Sequence, residues 1–458
     1  GLRNPLTETV ANASGTVVAQ TGWAYNARGQ AIAKCHMDPT QADARAYTCS
    51  AAGVVPMGVR RTVTTYCDAV DATQCPRVGL VLSVDGPRSD VADITRYAYY
   101  MATDESGCGT GGGACHRAGD LAQVTDAVGH VQRILAYDRH GRPLRQTEAN
   151  GVITDASDTP RGWLAARTVR ARTDGASSAS DATTTFTYEP TRALKTVTDP
   201  DGVVLSMTYD DAHRLIDVAD AQGGHVHYTL DASGHRIKEE TFDAAGTSRR
   251  SVARAYDALG QLLSVTDGRG HIVFDATAPG SYDGNGNLLT ARDALGVVSK
   301  DSYDALDRLV GQVADVNGAS TATKATTTAF TFDVLDQQTS ITDPDGLTTT
   351  YRFDGLQNLI GQSGPDTGTQ AATFDVAGHP LTMTDAKGTV ASQTFDALGR
   401  GTAVSYVDVT LNVTDHYDEA DSITGCQGSF PQGRLTRRVE SAVTTTYCYD
   451  AQGRMVEQ

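Results

Sequence analysis

Glycine-rich and oxygen-rich segments are the first places in this sequence where residue type and spacing could support chemistry. Residues 107–112 (GCGTGG) match the pattern G-x-G-x-x-G, which binds dinucleotide phosphates when it joins a strand to a helix. No strand–helix context surrounds this match, so we interpret it as the tip of a glycine-rich loop. Residues 283–287 (DGNGN) alternate oxygen ligands like the start of a calcium loop, but Leu288 stands where glycine is needed and no late glutamate follows. A turn is therefore the favoured interpretation.

Histidine and aspartate are the other candidates for chemistry. His225 and His227 share one strand face, and His213 and His235 lie nearby in sequence, so a metal or pH-sensitive patch is an alternative to ordinary strand-surface positions. Paired aspartates could hydrolyse glycosides, but their fixed place after an aromatic residue marks them as turn formers. No H-E-x-x-H, G-x-S-x-G or Walker A pattern occurs. We therefore expect no catalytic residue, no cofactor and no metal ligand, and we expect that the protein is not an enzyme.

The composition favours strands and turns over helices. The chain has 458 residues and a net charge of −17, which argues against nucleic-acid binding because phosphates require basic surface. It contains 46 Asp and only 9 Glu, and aspartate is a poor helix former. Glycine is abundant, with 46 residues, and no apolar run approaches the roughly 20 residues that a membrane span needs. The length predicts either several domains or one repetitive body.

An internal repeat determines the expected architecture. Tyr or Phe is followed directly by Asp thirteen times, against about three times expected by chance from the composition. Many of these pairs lie 21 residues apart. They are Tyr137-Asp138, Tyr209-Asp210, Phe242-Asp243, Tyr256-Asp257, Phe274-Asp275, Tyr282-Asp283, Tyr303-Asp304, Phe332-Asp333, Phe353-Asp354, Phe374-Asp375, Phe395-Asp396, Tyr417-Asp418 and Tyr449-Asp450.

Each unit reads as two strands and two turns. Residues 330–332 (FTF) place aromatics on one strand face and Thr on the other, with the period of two that a strand has. Asp257 to Gly260 and Asp396 to Gly399 fit a type I turn with a G1 bulge, in which glycine adopts a positive φ. Because a lone hairpin is marginal in water, stability must come from stacking the units into one continuous sheet.

The repeat resembles a known family. The pattern Tyr-Asp-x-x-Gly-Arg-Leu, nearly complete at 137–144 and varied at 209–215, resembles the YD repeat of bacterial Rhs proteins, the C subunits of insecticidal toxin complexes, wall-associated repeat proteins and the teneurins. Residues 198–202 and 342–346 (TDPDG) fit the same consensus. The resemblance covers 137–458 well and 1–136 loosely, with an early copy at Trp23 to Gly29.

The resemblance implies an all-β fold in which tandem hairpins form a continuous spiralling sheet that closes into a hollow shell or tube. In toxin-bearing members the shell encloses a C-terminal toxic domain, which is absent from this sequence. Residues 343–347 (DPDGL) match the letters of the family's cleavage segment, but they lie at an ordinary turn position in mid-array, so we interpret them as a turn. We expect divergent repeats with three cysteine-pair loops at 1–136, a regular array at 137–425, and final repeats with a cysteine-pair insertion at 426–458.

Eight cysteines occur in four close pairs. In a stacked array each residue approaches only its own and adjacent units, so we expect nearest-neighbour disulfides, with free thiols or a zinc site as alternatives. Disulfides imply an oxidising location such as the cell surface, the extracellular space or the periplasm. The expected pairs are Cys35–Cys49, Cys67–Cys75, Cys108–Cys115 and Cys426–Cys448.

The leading functional hypothesis is a secreted or surface structural module that encases or carries an effector. The alternative is an adhesin or filament subunit that assembles head to tail, and a glycan-processing enzyme is a third class that no motif supports. Neither end of the sequence shows a cap or an apolar leader. We therefore expect further repeats of the same chain, or another copy, to cover the open sheet edges.

Overall fold

A computed structural model describes residues 4–108, 115–318 and 325–458. Within these residues, 34 strands form one sheet in which each strand pairs antiparallel with the next along the chain, as an uninterrupted meander. Two further strands form a separate hairpin. Helix in this part of the chain is confined to Ala42–Arg45 (α1), Asp421–Thr424 (α2) and the 3-10 turn Val409–Leu411. The expected all-β repeat fold is confirmed.

The strands of the first part of the chain are β1 (Thr7–Ala11), β2 (Val17–Tyr25), β3 (Ala31–Met37), β4 (Val59–Tyr66), β5 (Val81–Asp85), β6 (Ile94–Tyr99), β7 (Leu121–Thr125), β8 (Val131–Tyr137), β9 (Pro143–Thr147), β10 (Ile153–Asp158), β11 (Leu164–Val169) and β12 (Ala182–Tyr188). The middle part contains β13 (Leu194–Thr198), β14 (Val204–Tyr209), β15 (Leu215–Asp220), β16 (His225–Leu230), β17 (Arg236–Phe242), β18 (Ser248–Tyr256), β19 (Leu262–Asp267), β20 (Ile272–Asp275), β21 (Thr290–Asp293), β22 (Val298–Tyr303), β23 (Leu309–Ala314) and β24 (Thr326–Phe332). The last part contains β25 (Gln338–Thr342), β26 (Thr348–Phe353), β27 (Leu359–Gly364), β28 (Gly368–Phe374), β29 (Pro380–Thr384), β30 (Val390–Phe395), β31 (Gly401–Ser405), β32 (Val413–Tyr417), β33 (Leu435–Glu440), β34 (Val443–Thr446), β35 (Cys448–Tyr449) and β36 (Met455–Glu457).

On one rim, the turns that follow most of the repeated aromatic residues have one geometry, and we call them YD turns. The turn after Leu230 belongs to the same rim, whereas the turn after Phe242 lies on the opposite one. After Tyr256, the N–H of Asp257 donates to the carbonyl of Gln261, and the N–H of Gly260 donates to the carbonyl of Asp257. Gly260 has φ +80°, and the strand register shifts between Ala255 and Tyr256, as a G1 bulge requires. The turns that join one unit to the next, such as residues 343–347, lie at the opposite ends of the strands, and we call them return turns. The two kinds of turn form two opposite rims of the strip of strands.

The sheet has an aromatic face and a hydroxyl face. Phe330 pairs with Ile341, whereas the adjacent Thr331 pairs with Ser340 and hydrogen bonds to its hydroxyl at 2.7 Å. Most strand residues are half-buried. The main cluster of fully buried residues in the described chain surrounds one disulfide, and it consists of Ala33, Cys35, Met37, Ala44, Cys49 and Val59. The wall therefore depends on contacts between neighbouring units more than on a central core.

Replacing Gly399 by Ala is expected to destabilise the protein more than the same change at Gly388. Both residues have a positive φ, so each variant costs roughly 1 kcal/mol of backbone strain. A Cβ at Gly399 would also lie 2.5 Å from His379 Nε2, whereas nothing lies within 4 Å at Gly388. Urea denaturation midpoints measure the difference. Equal midpoints would contradict the contact between neighbouring YD turns.

Candidate functional site

The aspartate of the YD turn uses one carboxylate oxygen to hold its own turn. In the unit at Tyr209, Asp210 Oδ1 accepts hydrogen bonds from the N–H groups of Ala212 (3.0 Å) and Arg214 (2.9 Å). This Asx geometry satisfies main-chain donors that a tight turn leaves unpaired. The same oxygen makes the same pair of contacts at Asp138, Asp257, Asp283, Asp304, Asp333, Asp354, Asp375 and Asp396.

The second carboxylate oxygen binds the side chain four residues later, which we call the +4 side chain. Arg214 pairs with Asp210, Arg308 with Asp304 and Arg400 with Asp396, while histidine or asparagine takes the place of arginine in other units. At Asp138, burial acts to raise the pKa of the carboxyl, but hydrogen bonds from Arg142 and from main-chain N–H groups outweigh it and lower the pKa to about 2. The Asp138 carboxylate is thus held ionised as a structural group.

The +4 side chain also reaches the next unit. Arg214 Nη1 donates to the carbonyl of Asp231 at 2.7 Å, and Arg308 Nη1 donates to the carbonyl of Asp333 at 2.6 Å. The guanidinium of Arg308 lies 5.1 Å from the ring centroid of Phe332. The carboxylate of one unit therefore forms a site together with the turn carbonyl of the next unit and, where the residue before that turn is aromatic as at Phe332, with its ring. We call this site a YD socket, and in these units the chain's own arginine fills it.

The repeated tyrosine forms a second contact between units through its hydroxyl. Tyr209 donates to the carbonyl of Leu194 at 2.8 Å, and Tyr282 donates to the carbonyl of Leu262 at 2.6 Å. The same contact recurs at Tyr66, Tyr99, Tyr137, Tyr188, Tyr303 and Tyr449. Burial raises the pKa of Tyr137 to about 12, so this hydroxyl keeps its proton across the physiological range. Phenylalanine at this position cannot make the bond, and Phe395 instead stacks on His379.

Replacing Tyr282 by Phe should lower the free energy of unfolding by about 1 kcal/mol, because the buried Leu262 carbonyl loses a donor at 2.6 Å. Tyr256→Phe is the matched control, since its hydroxyl lies 3.5 Å from the carbonyl of Arg236 and contributes less. Chemical denaturation of the two variants measures the difference. A larger loss for Tyr256→Phe would count against the hydroxyl contact.

Acid should destabilise the array through its turn carboxylates. The pKa of Asp138 is about 2 in the folded protein, below the ordinary value of 3.8, so its ionic contacts contribute fully above that ordinary value. This contribution is lost as the pH falls toward 2. Asp138→Asn keeps the turn acceptor but loses the charge, so we expect its stability to depend less on pH between about 4 and 2. Thermal unfolding across this range measures the slope, and exposed Asp211→Asn, which should retain the wild-type slope, is the control.

Residues about 300 positions apart meet where the strip closes on itself. The return-turn side of the early units contacts the YD turns of the late units, and the contacts follow the same order on both sides. We call this line of contacts the seam. Its pairs are Asp38 with Gly355, Arg60 with Asn358 and Val376, Arg88 with Asp375, Phe395 and Asp396, His130 with Asp418, and Asn150 with Gln432.

The seam consists mainly of hydrogen bonds from long side chains to main-chain carbonyls. Arg60 Nε donates to the carbonyl of Val376 at 2.9 Å, and Arg88 donates to the carbonyls of Phe395 (3.2 Å) and Asp396. Only 6% of the Arg88 side chain is exposed. At Gly355, an added Cβ would lie 2.0 Å from Asp38 Oδ1, so only glycine allows this close approach. The sheet thus completes about one revolution and is held in a fixed register.

His130 joins two carboxylates across the seam. Its Nδ1 lies 2.8 Å from Asp126 Oδ2 on its own turn, and its Nε2 lies 3.2 Å from Asp418 Oδ2 on the opposite rim. Arg400 also binds Asp418 at 2.8 Å. His130 and Arg400 therefore converge on one carboxylate, and the YD turn of the late unit is attached both within its own rim and across the seam.

Replacing Arg88 by Ala should lower the free energy of unfolding by about 2 kcal/mol, because two carbonyls lose a buried cationic donor. The matched control is Arg172→Ala, whose ion pair with Asp174 is more than half exposed and should contribute little. Chemical denaturation compares the two, and small-angle X-ray scattering should show expansion of the Arg88 variant alone. An equal effect of both changes would count against the seam.

The other candidate residues do not converge on a reactive centre. Asp283 binds the N–H groups of Asn285 and Asn287 in a YD turn, and Asp343 binds those of Asp345 and Leu347 in a return turn. Of the glycine-rich match at 107–112, residues 109–112 lie outside the described residues. In the part of the chain that the structure describes, no three His, Cys, Asp or Glu side chains are grouped to hold a metal, and no helix is long and apolar enough to cross a membrane.

The candidate histidines have separate partners. His225 stacks on Phe242, His227 lies 3.2 Å from Asp217, and His235 lies 2.9 Å from Asp231. His213 stands at the turn position that glycine usually occupies, with φ +62°. Each histidine thus belongs to the sheet surface or to a turn of its own unit.

Four disulfides close loops that are inserted at the rims. These bonds fit an oxidising compartment. Tyr66 and Tyr99 occupy the repeat position in units whose YD turns are enlarged by loops, and this enlargement obscures the repeat in the sequence of this region. The pairs are Cys35–Cys49, Cys67–Cys75, Cys108–Cys115 and Cys426–Cys448.

Sequence reasoning missed the seam residues Arg60, Arg88, His130 and Asn150. A weak signal does exist: Asn358 and His379 replace the arginine common at the +4 position, and these are the two units that Arg60 and Arg88 contact. Nothing in the sequence indicates which distant arginines bind at the two turns where the +4 arginine is replaced.

Comparisons with known proteins agree with this geometry. The family model described as RHS Repeat matches residues 282–320 and 326–369. The crystal structure of TcdB2-TccC3 without its hypervariable C-terminal region has a TM-score of 0.68 at 15% identity, covering 96% of this chain and 23% of that chain. The TcdB2-TccC3-Cdc42 structure gives a TM-score of 0.67 at 14% identity, covering 97% of this chain and 23% of that one. A search of curated proteins finds no match.

A further solved structure, the Tc holotoxin pore of Photorhabdus luminescens with the TccC3 mutation D651A, has a TM-score of 0.53 at 16% identity, covering 95% of this chain and 23% of that chain. The chain thus spans less than a quarter of the length of these structures. The fold and the turns define a β-repeat protein whose units form one continuous antiparallel sheet. The residues that the family model matches are Rhs repeats, and the same YD turns recur along the described chain on both sides of them.

Proposed function

We propose that this chain forms part of the wall of a hollow protein shell and that its role is structural. The seam carries the proposal, because it turns a strip of strands into a closed wall in which the return-turn rim of one revolution binds the YD rim of the next. A filament or a flat adhesive ribbon has no need of such a seam. The turn carboxylates are occupied by structural bonds, which leaves them unsuited to catalysis.

The shell is proposed to enclose or carry a C-terminal effector. Support comes from the similar structures, one of which is described as lacking a hypervariable C-terminal region and another as a toxin pore. We further propose that additional YD repeats, of the same polypeptide or of another copy, complete the enclosure. The proposed location is outside the cell or on its surface, where the four disulfides would persist.

The proposed organisation of the wall follows the insertions. Residues 1–136 form repeats modified by three disulfide-closed loops, residues 137–425 form the regular array, and residues 426–458 carry the fourth disulfide at the late end of the seam. The loops lie at the rims, so insertions leave the strand pairing of the wall intact.

Electron microscopy of the polypeptide isolated from its native source tests the shell. The expected result is a hollow particle whose wall is one sheet thick, together with an intact mass well above 48.2 kDa. Protease treatment should leave an enclosed C-terminal segment uncut until the shell is opened by denaturant. A solid particle, or an open ribbon with an accessible C-terminal segment, would reject the function.

A further inference from the structure

Two YD sockets with a short +4 side chain are filled by arginines from the opposite rim. Asn358 and His379 replace the usual arginine in consecutive units. Arg60 contacts Asn358 (3.4 Å) and the carbonyl of Val376 in the first socket. Arg88 enters the second, where its Nε lies 3.7 Å from Asp375 Oδ2 and it donates to the carbonyls of Phe395 and Asp396. A filled YD socket thus takes its guanidinium either from its own +4 residue or from another turn of the spiral.

The socket at His235 has the same construction as the socket that Arg88 fills. His235 stacks on Tyr256 with ring centroids 4.8 Å apart and an interplanar angle of 25°, and the corresponding values for His379 on Phe395 are 4.8 Å and 23°. Each histidine places Nδ1 2.9 Å from the aspartate of its own turn, which is Asp231 for His235.

The glycines of the two sockets also correspond. Gly260 and Gly399 have φ +80° and +76°, and an added Cβ would lie 2.8 Å and 2.5 Å from the Nε2 atom of the respective histidine. Histidine, turn and aromatic ring are therefore held in the same arrangement in both sockets.

The two sockets differ in occupancy. Among the described residues, no side chain donates to the main-chain carbonyl of Tyr256 or Asp257, which correspond to the two carbonyls that Arg88 binds. The Asp231 side chain is 32% exposed, whereas its counterpart Asp375 is 12% exposed. The His235 socket thus presents the same acceptors to solvent.

We propose that the socket formed by Asp231, His235, Tyr256 and Asp257 is a binding site for an arginine side chain carried on the return turn of another turn of YD repeats. The identity of that partner rests on the proposed shell function, whereas the chemistry of the site does not. A planar guanidinium donates to a carbonyl and a carboxylate at once and fits against an aromatic ring, which an ammonium group does less well. The net charge of −17 adds a general attraction for cations.

Histidine-selective NMR of the full chain tests the site with three probes. The first is a cyclised peptide copying residues 85–94, which carries Arg88 on its turn, and the second is the same peptide with lysine at that position. The third is arginine blocked at both ends, which distinguishes a turn-borne guanidinium from a free one. The arginine peptide should shift the His235 ring signals at a concentration at least about tenfold lower than either of the other two probes.

Two variants are the matched controls. His235→Arg should fill its own socket, as Arg214 and Arg308 do, and abolish binding of the arginine peptide, which is followed here by fluorescence anisotropy of the labelled peptide because this variant lacks the His235 signal. In wild type the His379 signal should stay unchanged because Arg88 occupies that socket, and in Arg88→Ala it should become responsive. Should Arg88→Ala fail to fold, Arg88→Gln replaces it.

The proposal is overturned if the lysine peptide acts at the same concentration as the arginine peptide. It is likewise overturned if His235→Arg retains full binding, or if His379 in the Arg88 variant responds while His235 does not. None of these readouts depends on whether the native particle is hollow, so failure of this site and failure of the shell function are separate results.

Discussion

The aspartate that follows each repeated aromatic is the group on which the rest of the structure depends. One oxygen of its carboxylate fixes the turn through two main-chain N–H groups, and the other holds the +4 side chain. Because that side chain then stacks on or donates to the next unit, one carboxylate couples local turn geometry to the association of units. The excess of aspartate over glutamate follows from this role, since the shorter side chain places a carboxylate oxygen within reach of the N–H groups of its own turn.

The same turns make closure possible. A YD turn projects main-chain carbonyls beyond the strand ends, and these are the acceptors that Arg60 and Arg88 use from the other rim. Carbonyls are present in every unit whatever its sequence, so the seam needs only correctly placed donors on one side. Glycine at residue 355 permits the approach that a side chain would block.

Stability in such a wall is distributed along the chain. The strands are mostly half-buried, and many units contribute a tyrosine hydroxyl bond to a neighbour, while the ring of Phe395 stacks on His379. Loops closed by disulfides are added at the rims, where they leave the pairing of strands undisturbed. This arrangement tolerates sequence variation between units, which is consistent with a fold shared at 15% identity with the TcdB2-TccC3 structure.

The sequence by itself determined the repeat, the strand period, the turn after residues such as Tyr256-Asp257 and the short-range cysteine pairs, because all of these depend on residues within one unit or in adjacent units. It also indicated the shell fold through its resemblance to YD repeats. Only the tertiary structure decided the seam and the contrast between the filled His379 socket and the open His235 socket. The number of units per revolution follows from small twists accumulated over many strands, so residues about 300 apart meet without any local signal that pairs them.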